Sequence, residues 1–406
     1  MNLLTKDRNG LGSVLVICIF VSALMRFWGI VPVPHIFIMA TMAIMLPFFF
    51  LEIPKQLKFK KILIFLLAGI FLNMISCFIF REQSLFDSLR ASLIIFLIFF
   101  YFFLSNRNYS IETVEKSVII LGLFASVLYI LQFVLLRQDI VIMSTAEDID
   151  TNSAEGIRFR MIGSAIISLN FFLSLNKICT KKGSLISYVC VFLSIIVIVL
   201  MGFRTMLAAI LLFSFFLSLQ VLGKKHINKF ILLLLLLSIV MSGIPAVNDM
   251  FLYMLEKQQA GDATFANADY IRWKQLDYFF SYHFDNPAEM FFGSGLPLPD
   301  GTGTYTKYHA NLVNRGIYFQ DWGLLGLSWM LGIIPVFLMC CYSIIAYKMR
   351  VESQYKYIGI WFLYLLAISV TTVEFYRFGN FVVQALALHL VSKANSKYQL
   401  EQNNKL

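Results

Sequence analysis

The sequence predicts an all-α polytopic membrane protein of about twelve transmembrane helices. Three observations carry that expectation. First, 59% of the 406 residues are hydrophobic and 14% are charged, with a mean hydropathy of +0.77. A soluble domain is about half apolar and a quarter charged. Second, apolar runs of roughly 20 residues, the length that crosses about 30 Å of hydrocarbon, recur along the chain. Third, the short links between the runs alternate in lysine content, as the two faces of a membrane require.

In order, the expected spans are 11–31, 35–53, 61–80, 87–105, 115–136, 161–176, 184–202, 204–222, 229–247, 322–346, 356–374 and 378–392. The first follows MNLLTKDRNG, is long, and lacks a small-residue cleavage site, so it reads as a retained helix and not as a signal peptide. With the N-terminus cytoplasmic, the inner links are TKDR, KQLKFKK, SNRNYSIETVEK, KICTKKG, GKKHINK, YKMRVESQYK and the C-terminal tail. They hold 17 Lys and 3 Arg, against 3 Lys and 9 Arg outside. Both termini are therefore expected in the cytoplasm. The net charge of +10 is mostly a topology signal and gives no reason to expect nucleic acid. Cys18, Cys77, Cys179, Cys190, Cys340 and Cys341 lie in or beside apolar runs, with no disulfide framework and no metal-ligand spacing. Residues 1–406 read as a single transmembrane domain.

Two outer loops interrupt it. The smaller, 137–160, begins acidic and ends on Arg158 and Arg160, which alternate with Ile157, Phe159 and Met161 before span six. The larger, 248–321, separates spans nine and ten, and loops of such length are commonly functional. Within it YIRWKQLDYFFSYHF reads as a helix, capped by Asn267 or Asp269 and ended by the Asn286-Pro287 pair. FFGSGLPLPDGTGT is turn-rich and suits close approach of backbone to a ligand.

The outer face is rich in arginine where the inner face is rich in lysine. Arg81, Arg90, Arg158, Arg160, Arg204, Arg272, Arg315 and Arg377 all fall at helix mouths or in the outer loops. A single such residue reads as a snorkelling side chain. Eight on one face point to a shared anionic ligand, since the planar guanidinium fork suits phosphate and carboxylate. Asp-x-Asp pairs and dense carboxylate clusters are missing from this face, so no metal is expected.

Three stretches together resemble the O-antigen polymerase and ligase superfamily of bacterial membrane glycosyltransferases. They are GFRTMLAAILL, YIRWKQLDYFFSYHFDNPAEMFFGSG and HANLVNRGIYFQDWGLLGL, in that order and on that side. The likeness covers residues 155–330 best. It departs from the ligase pattern at His309, which is followed by Ala310, with Gly323 fourteen residues on; Asn311 or Asn314 fills part of that pattern. The departure favours the polymerase branch.

The resemblance implies a fold like that of GT-C-type glycosyltransferases in the bacterial inner membrane, working without a cofactor. It implies an undecaprenyl-pyrophosphate-linked oligosaccharide as substrate and a chain-length regulator as a partner protein. Arg204 and Arg272 would then meet the donor pyrophosphate, with Arg158, Arg160, Arg315 and Arg377 binding lipid-linked donor or acceptor. His309 is the first candidate for a base and His283 the second. Asp321 is a rival, with capping of span ten as its structural alternative. Trp273, Tyr305, Tyr308, Tyr318 and Trp322 are placed to stack on sugars, or to form an interfacial belt. The alternatives are an O-antigen ligase and a polysaccharide transporter. A transporter calls for pseudo-repeats and mid-membrane charges; no repeat is evident, and mid-span charges are nearly absent apart from Arg26, near the end of the first span.

Overall fold

The computed structural model describes residues 10–25, 57–136, 147–150, 158–160, 163–223, 271–298 and 303–404, with positions 40, 43–44, 47, 243 and 252 besides. The expected spans 35–53 and 229–247 lie almost wholly outside the described residues, as do Arg26, Asn267 and Asp269. Helix dominates, as the apolar runs require. The helices are α1 (Leu11–Leu24), α2 (Lys60–Arg81), α3 (Leu85–Asn106, with a 3-10 turn at Leu97–Phe99) and α4 (Ile111–Leu136). A two-stranded ribbon follows, β1 (Glu147–Asp150) and β2 (Arg158–Arg160). After it come α5 (Ser164–Cys179), α6 (Leu185–Leu200) and α7 (Arg204–Leu222). The long loop carries α8 (Ile271–Ser281), α9 (Pro287–Phe292) and α10 (Thr304–Asn314). The chain closes with α11 (Gly323–Leu331), α12 (Ile333–Lys348), α13 (Lys356–Ile368) and α14 (Asn380–Asn403).

Four of these, α2, α3, α4 and α7, are long and apolar enough to cross a membrane; α1, α5, α6 and α12 are shorter apolar helices. The fold is thus that of a helical protein with membrane-spanning character. Four corrections to the expected elements follow from the backbone. The smaller loop is not purely irregular, because β1 and β2 pair antiparallel, with Glu147 opposite Arg160 and Asp150 opposite Arg158. Span ten is broken at Gly332 (φ 89°) into α11 and α12. Pro335 lies in the first turn of α12, where its missing N–H costs nothing. The helix expected to run to Asn286 stops at Ser281, and Asn286-Pro287 instead opens α9. There the Asn286 side chain accepts the Ala288 N–H at 2.8 Å. The last helix continues to Asn403, eleven residues beyond the apolar run that predicted it.

Helix α5 is the axis of the bundle. It packs against α4, α6, α7, α13 and α14, and its residues from Ser164 to Asn176 are all buried. Several of its polar side chains bond to neighbouring elements: the Trp361 indole donates to Ser168 Oγ at 3.0 Å, and Asn176 donates to the Gln354 carbonyl at 2.6 Å. Gly122 lets α4 close onto α5, since a Cβ there would stand 2.4 Å from that of Asn170. Small residues at crossings and hydrogen bonds between helices are the means by which apolar helices associate without a hydrophobic driving force.

The helix ends sort into two layers. At one, the lysine-rich end, Lys177 pairs with Glu115 at 3.1 Å, the Tyr357 hydroxyl donates to Glu115 at 3.0 Å, and Lys356 donates to the Gln220 carbonyl at 3.0 Å. At the other, the long-loop end, Arg81 meets Glu289 of α9, Gln275 of α8 meets Asp321 and Trp322, and Ser164 and Asn380 meet Glu374. The alternation that lysine content predicts is therefore reproduced in which residues touch.

Candidate functional site

The long-loop end is built on a strap, residues 283–298, that runs down against α2 and the break between α11 and α12. The break strands the carbonyls of Trp329 and Met330. The strap's backbone takes them: Ser294 N donates to Trp329 O at 3.0 Å and Gly295 N to Met330 O at 2.8 Å. From α2, Asn73 donates to Phe292 O at 2.6 Å and to Met330 O at 2.8 Å, and Ser76 donates to Gly293 O at 2.8 Å. Asn73 lies eight residues before Arg81, roughly 12 Å down the helix. Irregular backbone at that depth is tolerable where protein surrounds it and its polar groups are paired. Gly293 (φ 81°) is essential to this contact, because a Cβ there would lie 2.3 Å from Gly332 N and Met330 O. The Gly-Ser-Gly turn expected to face a ligand is thus spent on packing the strap.

Arg81 is spent in the same way. Its side chain is 8% exposed and that of Glu289 is 0% exposed. The guanidinium Nε donates to Glu289 Oε1 at 2.7 Å and Nη2 to Oε2 at 3.1 Å, with Asp285 3.4 Å away and the His283 carbonyl also bonded. His283 is buried, 1% exposed. Its Nε2 lies 2.9 Å from Ser294 Oγ, and Phe279 and Phe284 flank the ring. Burial first, then the charge of Arg81 and the proximity of His309, push its pKa down to about 3. This removes His283 as a base for an incoming hydroxyl: it is shielded and already committed. Tyr305, expected as a sugar platform, is buried too, donating its hydroxyl to Gly295 O at 2.9 Å.

Helices α8 and α10 lie over the strap. Phe279 stacks on Trp329 at 4.2 Å, and the hydroxyls of Tyr278 and Tyr308 touch. Gln275, which the sequence reading missed, ties this layer to the start of α11. Its amide donates to Gly316 O at 2.8 Å and to Asp321 Oδ2 at 3.0 Å, and accepts the Trp322 indole N–H at 3.1 Å. Its signal was its place, four residues before Phe279 on the inward face of α8. Asp321 stands in a 3-10 turn, Phe319–Trp322, and α11 has no side-chain cap, so the capping role is not the one it fills.

A second buried node joins α5, the 369–379 loop and α14. Glu374 accepts Ser164 Oγ at 2.7 Å, Asn380 Nδ2 at 3.2 Å and the Arg377 guanidinium at 2.7 Å, with the Arg377 and Glu374 side chains 7% and 3% exposed. Ser164 and Asn380 open their helices, so two positive helix poles favour the carboxylate. Arg377, expected to bind substrate, is neutralised here, because a buried guanidinium requires a paired anion. The loop is anchored to α11 by Leu324 N donating to Ser369 O at 2.7 Å.

The remaining candidates stay open. Arg204 is the first residue of α7, exposed, with no acidic residue in the first turn. Arg272 is half-buried, Trp273 is 40% exposed, and Arg315 is exposed just past α10. Arg90 is exposed, 3.7 Å from Asp87. Among the described residues Arg204, Arg272 and Arg315 form no ion pair. Arg158 and Arg160 form the outer positions of β2. His309 is half-buried, edge-on to Phe319 at 6.1 Å, and burial lowers its pKa. The loop therefore carries Arg272, Trp273, Tyr308, His309, Arg315 and Asp321, of which Tyr308 meets Tyr278 and Asp321 meets Gln275 on α8, and Arg204 heads a separate helix at the same end. Compared with protein-family models, curated proteins and solved structures, the chain matches none.

Proposed function

We propose that the protein is a membrane glycosyltransferase of the O-antigen polymerase type, with about twelve spans, in the bacterial inner membrane with both termini cytoplasmic. In this reading the long-loop end faces the periplasm. The observation that carries the proposal is the state of Arg204. It puts a full positive charge at the positive pole of a 19-residue helix, with no carboxylate in the first turn. That arrangement costs about 0.3–1 kcal/mol at an exposed site, and an anion bound there would relieve it. Arg81 and Arg377, at the same end, have carboxylates of their own.

The anion of this reading is the diphosphate of a lipid-linked glycan. An acceptor hydroxyl attacks the sugar carbon bonded to the diphosphate. The carbon–oxygen bond breaks, and the charge that develops on the departing diphosphate is met by Arg204 and Arg272. Preorganised donors at such a point commonly contribute factors of about 10² to 10³. His309 takes the proton of the acceptor hydroxyl. Its burial favours the neutral ring, so near neutral pH it is ready to accept. Arg158, Arg160 and Arg315 bind the second lipid-linked unit, and Trp273, Tyr308 and Asp321 position sugars.

The test is lipid and surface-glycan analysis of a deletion strain complemented with variants. Single-repeat surface glycan in the deletion strain, restored to long chains by wild type and not by Arg204→Ala or Arg272→Ala, is the expected result. Unattached long polymer on the carrier lipid would make the chain a ligase. Normal chain ladders in both arginine variants would remove the diphosphate site.

A further inference from the structure

At the lysine-rich end a cavity of about 260 Å³ opens between the end of α7, the end of α12, the start of α13 and the C-terminal half of α14. Gln220, Tyr347, Arg350, Lys356, Gly359 and Tyr398 line it, with apolar neighbours, and among the described residues no carboxylate does. Gly359 lets α12 and α13 touch beneath it: a Cβ there would lie 3.0 Å from the Tyr347 Cα.

Two cations face this space. The Lys356 ammonium, with three donors, gives one to the Gln220 carbonyl at 3.0 Å. Arg350 is exposed and makes no ion pair among the described residues. The nearest acidic residue in sequence, Glu352, is engaged with Gln354 at 2.6 Å and lies 3.9 Å from Lys397. One turn back along α12, Ile344 and Ile345 are 41% and 42% exposed. An apolar face thus leads to a cationic hollow that Tyr347 and Tyr398 help to line.

We propose that this cavity binds the headgroup of an anionic phospholipid. The phosphate sits between Arg350 and Lys356, the headgroup hydroxyls meet Tyr347 and Tyr398, and the acyl chains lie along Ile344 and Ile345. The shared chemistry is that of a phosphate. The adjoining exposed isoleucines favour one that carries hydrocarbon, because a soluble phosphate has no use for them. Basic hollows between membrane helices at the cytoplasmic side suit such headgroups, with each Lys or Arg contributing about fivefold in affinity. The proposal is independent of the role given to Arg204.

The experiment uses the full chain in neutral detergent micelles, reading the thermal unfolding midpoint against added phosphatidylglycerol, phosphatidylcholine or inorganic phosphate. Phosphatidylglycerol is expected to raise the midpoint saturably and phosphatidylcholine to leave it nearly unchanged. Arg350→Gln should need about fivefold more phosphatidylglycerol for the same shift, and Arg350→Lys should recover most of the response. Arg350 is exposed, so neither variant threatens folding. Equal protection by phosphatidylcholine, or an unaltered response in Arg350→Gln, would overturn the proposal. Protection by inorganic phosphate equal to that by phosphatidylglycerol would overturn the assignment to a lipid.

Discussion

Arg81 and Arg204 stand at the same end of the bundle and differ in everything around them. Arg81 closes α2, at the negative pole of its helix, and Glu289 and Asp285 neutralise it. Arg204 opens α7, at the positive pole, and nothing in its first turn does so. The first is a structural rivet that happens to be charged. The second is an exposed charge that, in the proposed function, meets the diphosphate of the substrate. Residue type and depth alone do not separate them; the partner and the helix pole do.

The comparison breaks most visibly at the rivet. Glu289→Ala leaves Arg81 buried without its main anion, and removing one member of such a pair costs about 3–5 kcal/mol. The variant should lose most folded, monodisperse protein, read by size-exclusion yield and unfolding midpoint. A wild-type midpoint would show that Arg81 is not held by that carboxylate. At Arg204 the opposite pattern is expected. Arg204→Ala should leave the midpoint unchanged or slightly raised while, in the proposed function, polymer synthesis falls by roughly 10² to 10³. Arg204→Lys should also be impaired, since a point charge does not reproduce the fork.

Smaller effects sharpen the boundary between the two regions. Gln275→Leu strands the Trp322 indole and the Gly316 carbonyl, at a cost of about 1–3 kcal/mol, and loosens Asp321. Reduced stability with a proportionally larger loss of chain length would tie this layer to the Arg204 region; reduced stability alone would tie it to the strap. His283 adds a pH dependence confined to the strap. The folded state holds its pKa at about 3 against an ordinary 6.5, so the unfolded chain binds more protons between those values. Stability is full above pH 6.5 and falls with acidification, by about 1.4 kcal/mol per pH unit at most. His283→Gln should flatten the midpoint-against-pH curve below 6.5, and an unchanged slope would place the titrating group elsewhere.

Much of the frame was legible because apolar length and lysine alternation are local signals. The start of α7 at Arg204 could be read directly, since an apolar run begins there. The Arg81 node could not, because Glu289 is 208 residues away in sequence and only the folded chain brings the two together. Arg377 was different. Its partner Glu374 lies three residues before it in VEFYRFG, at helical spacing, and a charge-pairing reading would have removed it from the binding set. The break in span ten was also written locally, in MLGIIP: glycine and a proline three residues on both weaken a continuous helix. The extent of α14 was missed because hydropathy marks where the apolar run ends. KANSKYQLEQN continues the helix with good helix formers that are polar.

The strap has a consequence for biosynthesis. Arg81, Asn73 and Ser76 leave the ribosome about 200 residues ahead of the segment that satisfies them, and Glu289 follows Arg81 by 208. At roughly 5–20 residues per second, that is an interval on the order of 10–40 s. Through it, α2 exists as an inserted but incomplete helix with three donors awaiting acceptors. Chains that terminate before residue 283 never supply them, so stalled or truncated products should be recognisable to membrane quality control by an uncovered α2.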